Sequence, residues 1–299
     1  MSIRYSALRL VVRALAAGLG RLPPGPGRWL GRRLGDLAFV ALPGRRRIAR
    51  ANLARAFPHL PPGERARLCR ASFQSFGLTL MEICRAAVTP VETLLRDISV
   101  DGMEHLKAAM EGRGRALALS AHLGNWEFLS VAHLLTGYRL AVVARRLDSS
   151  VLDRVAEDLR RKAGVDLIDK RDALRPALAA LRAGRFVGIL LDQNATRREG
   201  VFVPFFGVPA STSRSIAVLA LRTATPIVPI FIRRDGTRHR VTIHPPIDPP
   251  AANGGDEAVV ELTMRCTRAI EEAIRAVPEQ WLWIHNRWRT RPVVEERPR

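Results

Sequence analysis

His122 and Glu127 are the residues in this chain whose types and spacing most suggest chemistry. The apolar run Ala116-Leu117-Ala118-Leu119 passes through Ser120-Ala121 into His122-Leu123-Gly124-Asn125-Trp126-Glu127. An imidazole near neutral pH serves best as a general base when a carboxylate fixes its tautomer and stabilises its charged form. Five positions within one continuous helix would set two side chains about 140° apart, facing away from each other. The pair therefore meets only if His122 sits on a strand-to-helix turn and Glu127 in the first helical turn. Gly124 would give that turn its freedom, and Asn125 would cap the helix. The helix N-terminus would add free N–H groups and partial positive charge, suited to an anionic intermediate or a phosphate. Such a pair deprotonates a hydroxyl. The same residues also fit a strand-end histidine beside a surface glutamate, and spacing alone leaves both readings open.

The elements that must position this pair are legible from periodicity. Residues 1–99 read as helical, broken at Pro58, Pro61-Pro62 and Pro90, with a helix starting at Pro61-Pro62-Gly63-Glu64. From about residue 100 the pattern alternates. Strands are expected at 115–121, 139–144, 165–168, 186–191, 226–232 and 238–243. Helices are expected at 124–135, 149–163, 172–183, 213–223 and 256–276. Strands alternating with helices predict an α/β fold with a mixed, mostly parallel sheet. A helical, membrane-associating region (1–99) would precede the α/β domain (100–299), the two forming one unit.

Composition narrows the partners. The 299 residues carry 48 Lys+Arg against 28 Asp+Glu, a net charge of +20, and the only lysines are Lys107, Lys162 and Lys170. So much positive charge fits an anionic membrane face, an acidic protein or a phosphorylated substrate. Nucleic acid is not expected, because zinc-finger spacing and an aromatic RNA-binding signature are both lacking. Cys69, Cys84 and Cys266 form no CxxC pair or metal-ligand spacing and read as structural thiols in a reducing compartment. Near the N-terminus, Leu8 to Leu19 is too short and too interrupted for a membrane span, which needs roughly 20 apolar residues. Arg9 and Arg13 share one helix face there, a pattern suited to lying in the membrane interface. A second basic and apolar patch follows at Trp29, Arg32, Arg33, 37–40 and 45–50, after a turn expected at Pro23-Pro24-Gly25-Pro26-Gly27. Ordinary surface helices would explain the same arginines.

Several blocks extend the central one. His122-Leu123-Gly124-Asn125-Trp126-Glu127 resembles the HX4(D/E) motif of glycerolipid acyltransferases, in the HxGNWE form of the bacterial lipid A late acyltransferases. Leu191-Asp192-Gln193 with Phe202-Val203-Pro204-Phe205-Phe206-Gly207 resembles that family's DQ…FxPFFG block, and residues 278–288 resemble its C-terminal PEQ(Y/W)xWxHxR(W/F) block. Arg145 matches a strand-end arginine of the family, and Arg45-Arg46-Arg47 with Asn52-Leu53 and Phe57-Pro58 also fits. The resemblance covers essentially the whole chain.

It implies a glycerolipid acyltransferase-like fold and an O-acyltransferase without metal or cofactor. His122 would be the base, oriented by Glu127. Asn125, Arg145, Asp192, Gln193, Phe205 and Phe206 would form the substrate site, with Arg145 and Asp192 shaping it. For Phe205 and Phe206, packing of the core and an acyl-chain wall are equally open. The donor would be acyl carrier protein or acyl-CoA, the acceptor a lipid A precursor, and the place the cytoplasmic face of the inner membrane. A lysophospholipid, glycolipid or aminolipid acceptor remains an alternative, as does a non-catalytic lipid-binding role. The chain departs from the family pattern at Asn194 and at Arg214, both on the acceptor side.

Overall fold

The N-terminal helices begin at prolines. The computed structural model describes residues 14–144, 151–250 and 255–292, with α1 helical over 14–20. Then come α2 (Pro24–Ala41), α3 (Pro43–Ala56) and α4 (Pro62–Val88). Proline tolerates the first helical position because the N–H it lacks has no partner there. For that reason the turn expected at 23–27 is instead the opening turn of α2. Gly27, Gly31 and Gly35 are all buried, and helix α2 packs on α4 through Gly31 and Gly35. A Cβ on Gly31 would lie 3.0 Å from the Gly77 carbonyl oxygen, and one on Gly35 would run into the Phe73 carbonyl. Only glycine allows two backbones to come this close.

After α5 (Val91–Arg96) the chain builds a seven-stranded sheet in the order β1-β9-β8-β2-β5-β3-β4. Its strands are β1 (Ile98–Asp101), β2 (Ala116–Ser120), β3 (Leu140–Ala144), β4 (Asp166–Asp169), β5 (Phe186–Leu190), β8 (Ile227–Asp235) and β9 (Arg238–Ile243). All pairings are parallel except β8 with β9. The helices between them are α6 (Met103–Arg113), α7 (Leu129–Ala132), α8 (Val151–Lys162), α9 (Leu174–Arg182), α10 (Ser215–Thr223) and α11 (Gly255–Ala276). The expected α/β architecture with a mostly parallel sheet is the one observed.

Both faces of the sheet are covered, as parallel strands require. On one face Leu117, Leu119, Val187, Ile189, Ile227 and Phe231 pack with α9, α10 and α11, and the same cluster takes in Leu53, Phe57 and Phe73 of the N-terminal helices. On the other, Ala116, Ala118, Phe186, Val228, Ile230 and Ile232 meet Leu106, Phe128, Val131 and Leu159. The three cysteines are free and buried, and burial pushes the Cys266 thiol up to about 12.

Three regions depart from expectation. Strand β1 and helix α6 are additional elements. The expected helix at 124–135 is a broken stack: a 3-10 turn at Trp126–Phe128, the single turn α7, and a second 3-10 turn at His133–Thr136. The FxPFFG block forms an unanticipated hairpin, β6 (Gly200–Phe205) with β7 (Val208–Ser213). Pro204 and Pro209 face each other across it, which a central strand would not tolerate but a two-stranded ribbon does. Its two-residue turn holds Phe206 at φ 52° and Gly207 at φ 74°, the positive pair that suits a tight hairpin.

Candidate active site

Strands β2 and β5 lie side by side and in parallel, with Ser120 opposite Leu190. Two residues beyond each partner the chain carries His122 and Asp192. The register therefore brings the two together at the carboxyl edge of the sheet, where open α/β sheets bind ligands. His122 Nδ1 lies 2.8 Å from Asp192 Oδ1, and the His122 backbone N–H donates to Oδ2 at 3.0 Å. The Trp281 indole N–H donates to the same Oδ2 at 2.8 Å. Burial alone would raise the Asp192 carboxyl, but the facing His122 and these three donors outweigh it and hold it at about 2. An ionised Asp192 makes Nδ1 the protonated nitrogen and leaves the lone pair on Nε2. There the Gln193 amide nitrogen stands 3.2 Å away. Gln193, expected in the substrate site, thus lies against the His122 ring.

Glu127 does something else. Its carboxylate accepts from Arg160 Nε at 2.9 Å and Nη2 at 2.6 Å, and from the Trp126 indole at 3.1 Å. The expectation that Glu127 orients His122 is corrected by this geometry: Asp192 holds the imidazole and Glu127 holds a guanidinium. The reason is the broken helix, whose opening 3-10 turn carries the Glu127 side chain toward α8. Helix α8 was expected, but Arg160 was missed, because one arginine among several on a basic helix carries no local signal. A three-residue turn also lacks the dipole expected of a full helix.

The turn between His122 and Glu127 is clamped from below. Gly124 has φ +59°, and a Cβ there would lie 2.6 Å from the Ile232 carbonyl oxygen. Its N–H donates to the Gln280 carbonyl, and its own carbonyl accepts from Thr79 at 3.0 Å. Asn125 starts the 3-10 turn but does not cap it. Its amide donates to Glu82 at 3.1 Å, and its side chain is fully buried, so it supports the turn from beneath. Glu82 in turn accepts from Arg234 at 2.6 and 3.0 Å, while Arg234 also reaches Ser75 and Thr79.

The aromatic blocks are packing. Phe205 and Phe206 are buried against each other at 4.9 Å, among Trp281, Trp283, Trp288 and Phe57. Of the two readings left open for them, the geometry places both in the core. Buried Arg287 stacks 4.9 Å from the Phe205 ring and donates to the Ser211 carbonyl. His285 accepts from the Asn194 backbone N–H at 3.0 Å, and burial pulls it down to about 4, so it is a neutral acceptor. Asn52 of α3 donates to the carbonyls of Trp283 and His285. His133 is buried with Nδ1 at the Ser130 carbonyl. Arg145 and residues 1–13 lie outside the described residues, so the roles expected of them have no structural counterpart here.

An apolar cavity of about 80 Å³ opens under the turn that follows His122, reaching the histidine through Trp126 and lined by neither His122 nor Asp192. Trp126, Ser120, Glu127 and Arg160 line it together with Leu140, Phe186, Gly188 and Ile230. The Trp126 ring stands edge-on to His122 with centroids 5.0 Å apart.

A histidine poised on a buried carboxylate at the carboxyl edge of a parallel sheet is an arrangement chemically able to abstract a proton, and it places the chain among α/β proteins with a candidate acid–base site. The chain belongs to the bacterial lipid A biosynthesis acyltransferases, whose family profile matches residues 2–290. It is 28% identical over 266 residues to the lipid A biosynthesis lauroyltransferase of Escherichia coli, covering 88% of this chain and 85% of that one. It is 30% identical over 271 residues to the palmitoleoyltransferase of the same organism, covering 89% and 86%. Among solved structures, the 1-acyl-sn-glycerophosphate acyltransferase of Thermotoga maritima aligns at 16% identity and TM-score 0.40, covering 85% of this chain and 99% of that one. The protein is a transferase that moves acyl groups.

Proposed function

We propose that the protein transfers a fatty acyl chain from a thioester, on acyl carrier protein or coenzyme A, to a hydroxyl of a lipid A precursor. The place is the cytoplasmic face of the inner membrane. The supporting observation is the His122–Asp192 pair, with an apolar cavity on the turn that follows it. Nε2 takes the proton of the acceptor hydroxyl while Asp192 stabilises the imidazolium. For this the Gln193 amide gives up its place at Nε2 to the hydroxyl. The oxygen attacks the thioester carbonyl carbon, the tetrahedral intermediate expels the thiolate, and the imidazolium proton passes to sulfur. An ester and a free thiol remain.

The carbonyl oxygen gains negative charge on the way. Arg160, fixed by Glu127 in the cavity wall, supplies the nearby positive charge, as a preorganised donor must. A cavity this small takes only the methylenes nearest the thioester. The net charge of +20 suits an acidic carrier and a phosphorylated acceptor. Mass spectrometry of lipids from a strain lacking the gene tests the reading. Lipid A lighter by one acyl chain is expected. Unchanged lipid A with altered phospholipids or glycolipids would overturn the acceptor.

A further inference from the structure

Helix α2 has two opposite faces of unlike character. Gly27, Gly31 and Gly35 turn inward, and Gly31 and Gly35 seat the helix on α4. On the opposite face, Trp29, Arg33, Leu37 and Val40 follow one another at helical spacing. Trp29 is 65% exposed, Leu37 61% and Val40 68%, with Leu42 exposed just beyond the helix. Large apolar side chains this open, in a row on one helix, are unusual on a surface that meets only water.

Charge identifies what covers them. Residues 14–57 contain nine arginines and a single acid, Asp36. Asp36 is already neutralised, by Arg33 at 3.0 Å and Arg70 at 2.7 Å. Arg32, Arg45 and Arg47 are exposed and form no ion pair with any described residue. A ridge of tryptophan and aliphatic side chains flanked by unpaired arginines matches the layered chemistry of a bilayer interface, apolar below and anionic above. Among the described residues, no helix is long and apolar enough to cross a membrane, which leaves lying in the plane as the mode this helix offers.

We propose that α2 docks in the plane of an anionic lipid bilayer, with Trp29, Leu37 and Val40 inserted and Arg32, Arg33, Arg45 and Arg47 among the headgroups. The inference deepens the membrane part of the proposed function and rests on it. It also gives the glycine stripe a purpose: by fixing α2 to α4 backbone against backbone, it holds the ridge rigidly outward. Helix α4 carries Ser75, Thr79 and Glu82 on its other side, so one helix supports both the docking ridge and the turn of His122.

The test uses the full chain and vesicles containing phosphatidylglycerol, with phosphatidylcholine vesicles as reference. The protein is expected to sediment with the anionic vesicles. Trp29→Ser/Leu37→Ser/Val40→Ser should lower the partition coefficient by about a hundredfold. Arg32→Gln/Arg47→Gln should lower it by about twenty-fivefold, at roughly fivefold per arginine, and only on the anionic vesicles. Both variants should keep the native circular dichroism and the activity on detergent-dispersed substrate. Should the triple variant misfold, the single variant Trp29→Phe decides by a second reading: the blue shift of tryptophan emission on adding vesicles should vanish with it. Binding by the triple variant equal to the parent's, or a shift that survives Trp29→Phe, would overturn the docking. So would a lipid-free dimer that the triple variant abolishes, since the ridge would then belong to a second copy. Acyl transfer lost with vesicle binding intact would strike the proposed function instead and leave the ridge standing.

Discussion

Two buried carboxylates flank the turn that carries His122 and differ in one respect. Asp192 and Glu127 are 2% and 7% exposed, and each accepts three hydrogen bonds, one of them from a tryptophan indole. Asp192 faces an imidazole, which gains and loses a proton, whereas Glu127 faces a guanidinium, which never does. A carboxylate beside a titrating group can hold its tautomer and stabilise its transient charge. One beside a permanent cation spends its own charge positioning that cation. In the proposed reaction Asp192 is therefore the orienting partner of the base, and Glu127 governs the place of Arg160.

Substitutions can break this contrast. The largest effect belongs to the base itself: His122→Ala should lower kcat by about a thousandfold or more with the fold intact, read in single-turnover acyl transfer. Asp192→Asn should cost on the order of a thousandfold, because the neutral amide no longer fixes the proton on Nδ1. Glu127→Gln should cost less in rate, roughly tenfold to a hundredfold, and more in stability. It leaves Arg160 without its counter-charge in a largely buried site, at about 3 kcal/mol. Chemical denaturation should show that loss, and Glu127→Gln/Arg160→Met should recover most of it while activity stays low. Strict additivity of the two stability losses would contradict the pairing.

The smallest effect is a pH dependence. His285, pulled down from 6.5 to about 4, takes up its proton later in the folded protein than in the unfolded chain. Stability from this group is whole above pH 6.5 and is lost progressively down to about pH 4. Asp192, held at about 2, adds a separate loss from its ordinary 3.8 down to about 2. Thermal melts should show a smaller loss across the first window in His285→Gln than in the parent, the remainder coming from His133, His239 and His244, which burial also pulls down. An unchanged window would remove His285 as a source.

Most of the architecture was legible because apolar runs of strand length alternate with helical periods. The run ending at His122 carried its own evidence, since an apolar strand gives way abruptly to an imidazole and a glycine. Its partner was hidden by distance. Asp192 lies 70 residues away, and nothing near either residue says that β2 and β5 are neighbours. A signal did exist, for Ala116–Ser120 and Phe186–Leu190 are each followed two residues later by a polar residue. Pairing those strands in parallel would have joined His122 to Asp192. The glycine spacing of α2 was equally readable, but the prolines before it suggested a turn. The hairpin carrying Phe205 was masked by Pro204 and Pro209, which argue against strands everywhere except in a ribbon with two free edges.

The central claim, that Asp192 sets the proton on His122, is tested most directly by the tautomer itself. Nitrogen NMR of histidine-labelled protein, with the His122 signals assigned through His122→Gln, distinguishes the nitrogen bearing the proton. The parent should show His122 protonated on Nδ1 and free on Nε2 above neutral pH. That state should persist in Glu127→Gln and give way to a mixture of tautomers in Asp192→Asn. A tautomer that survives Asp192→Asn and is lost in Glu127→Gln would contradict the account.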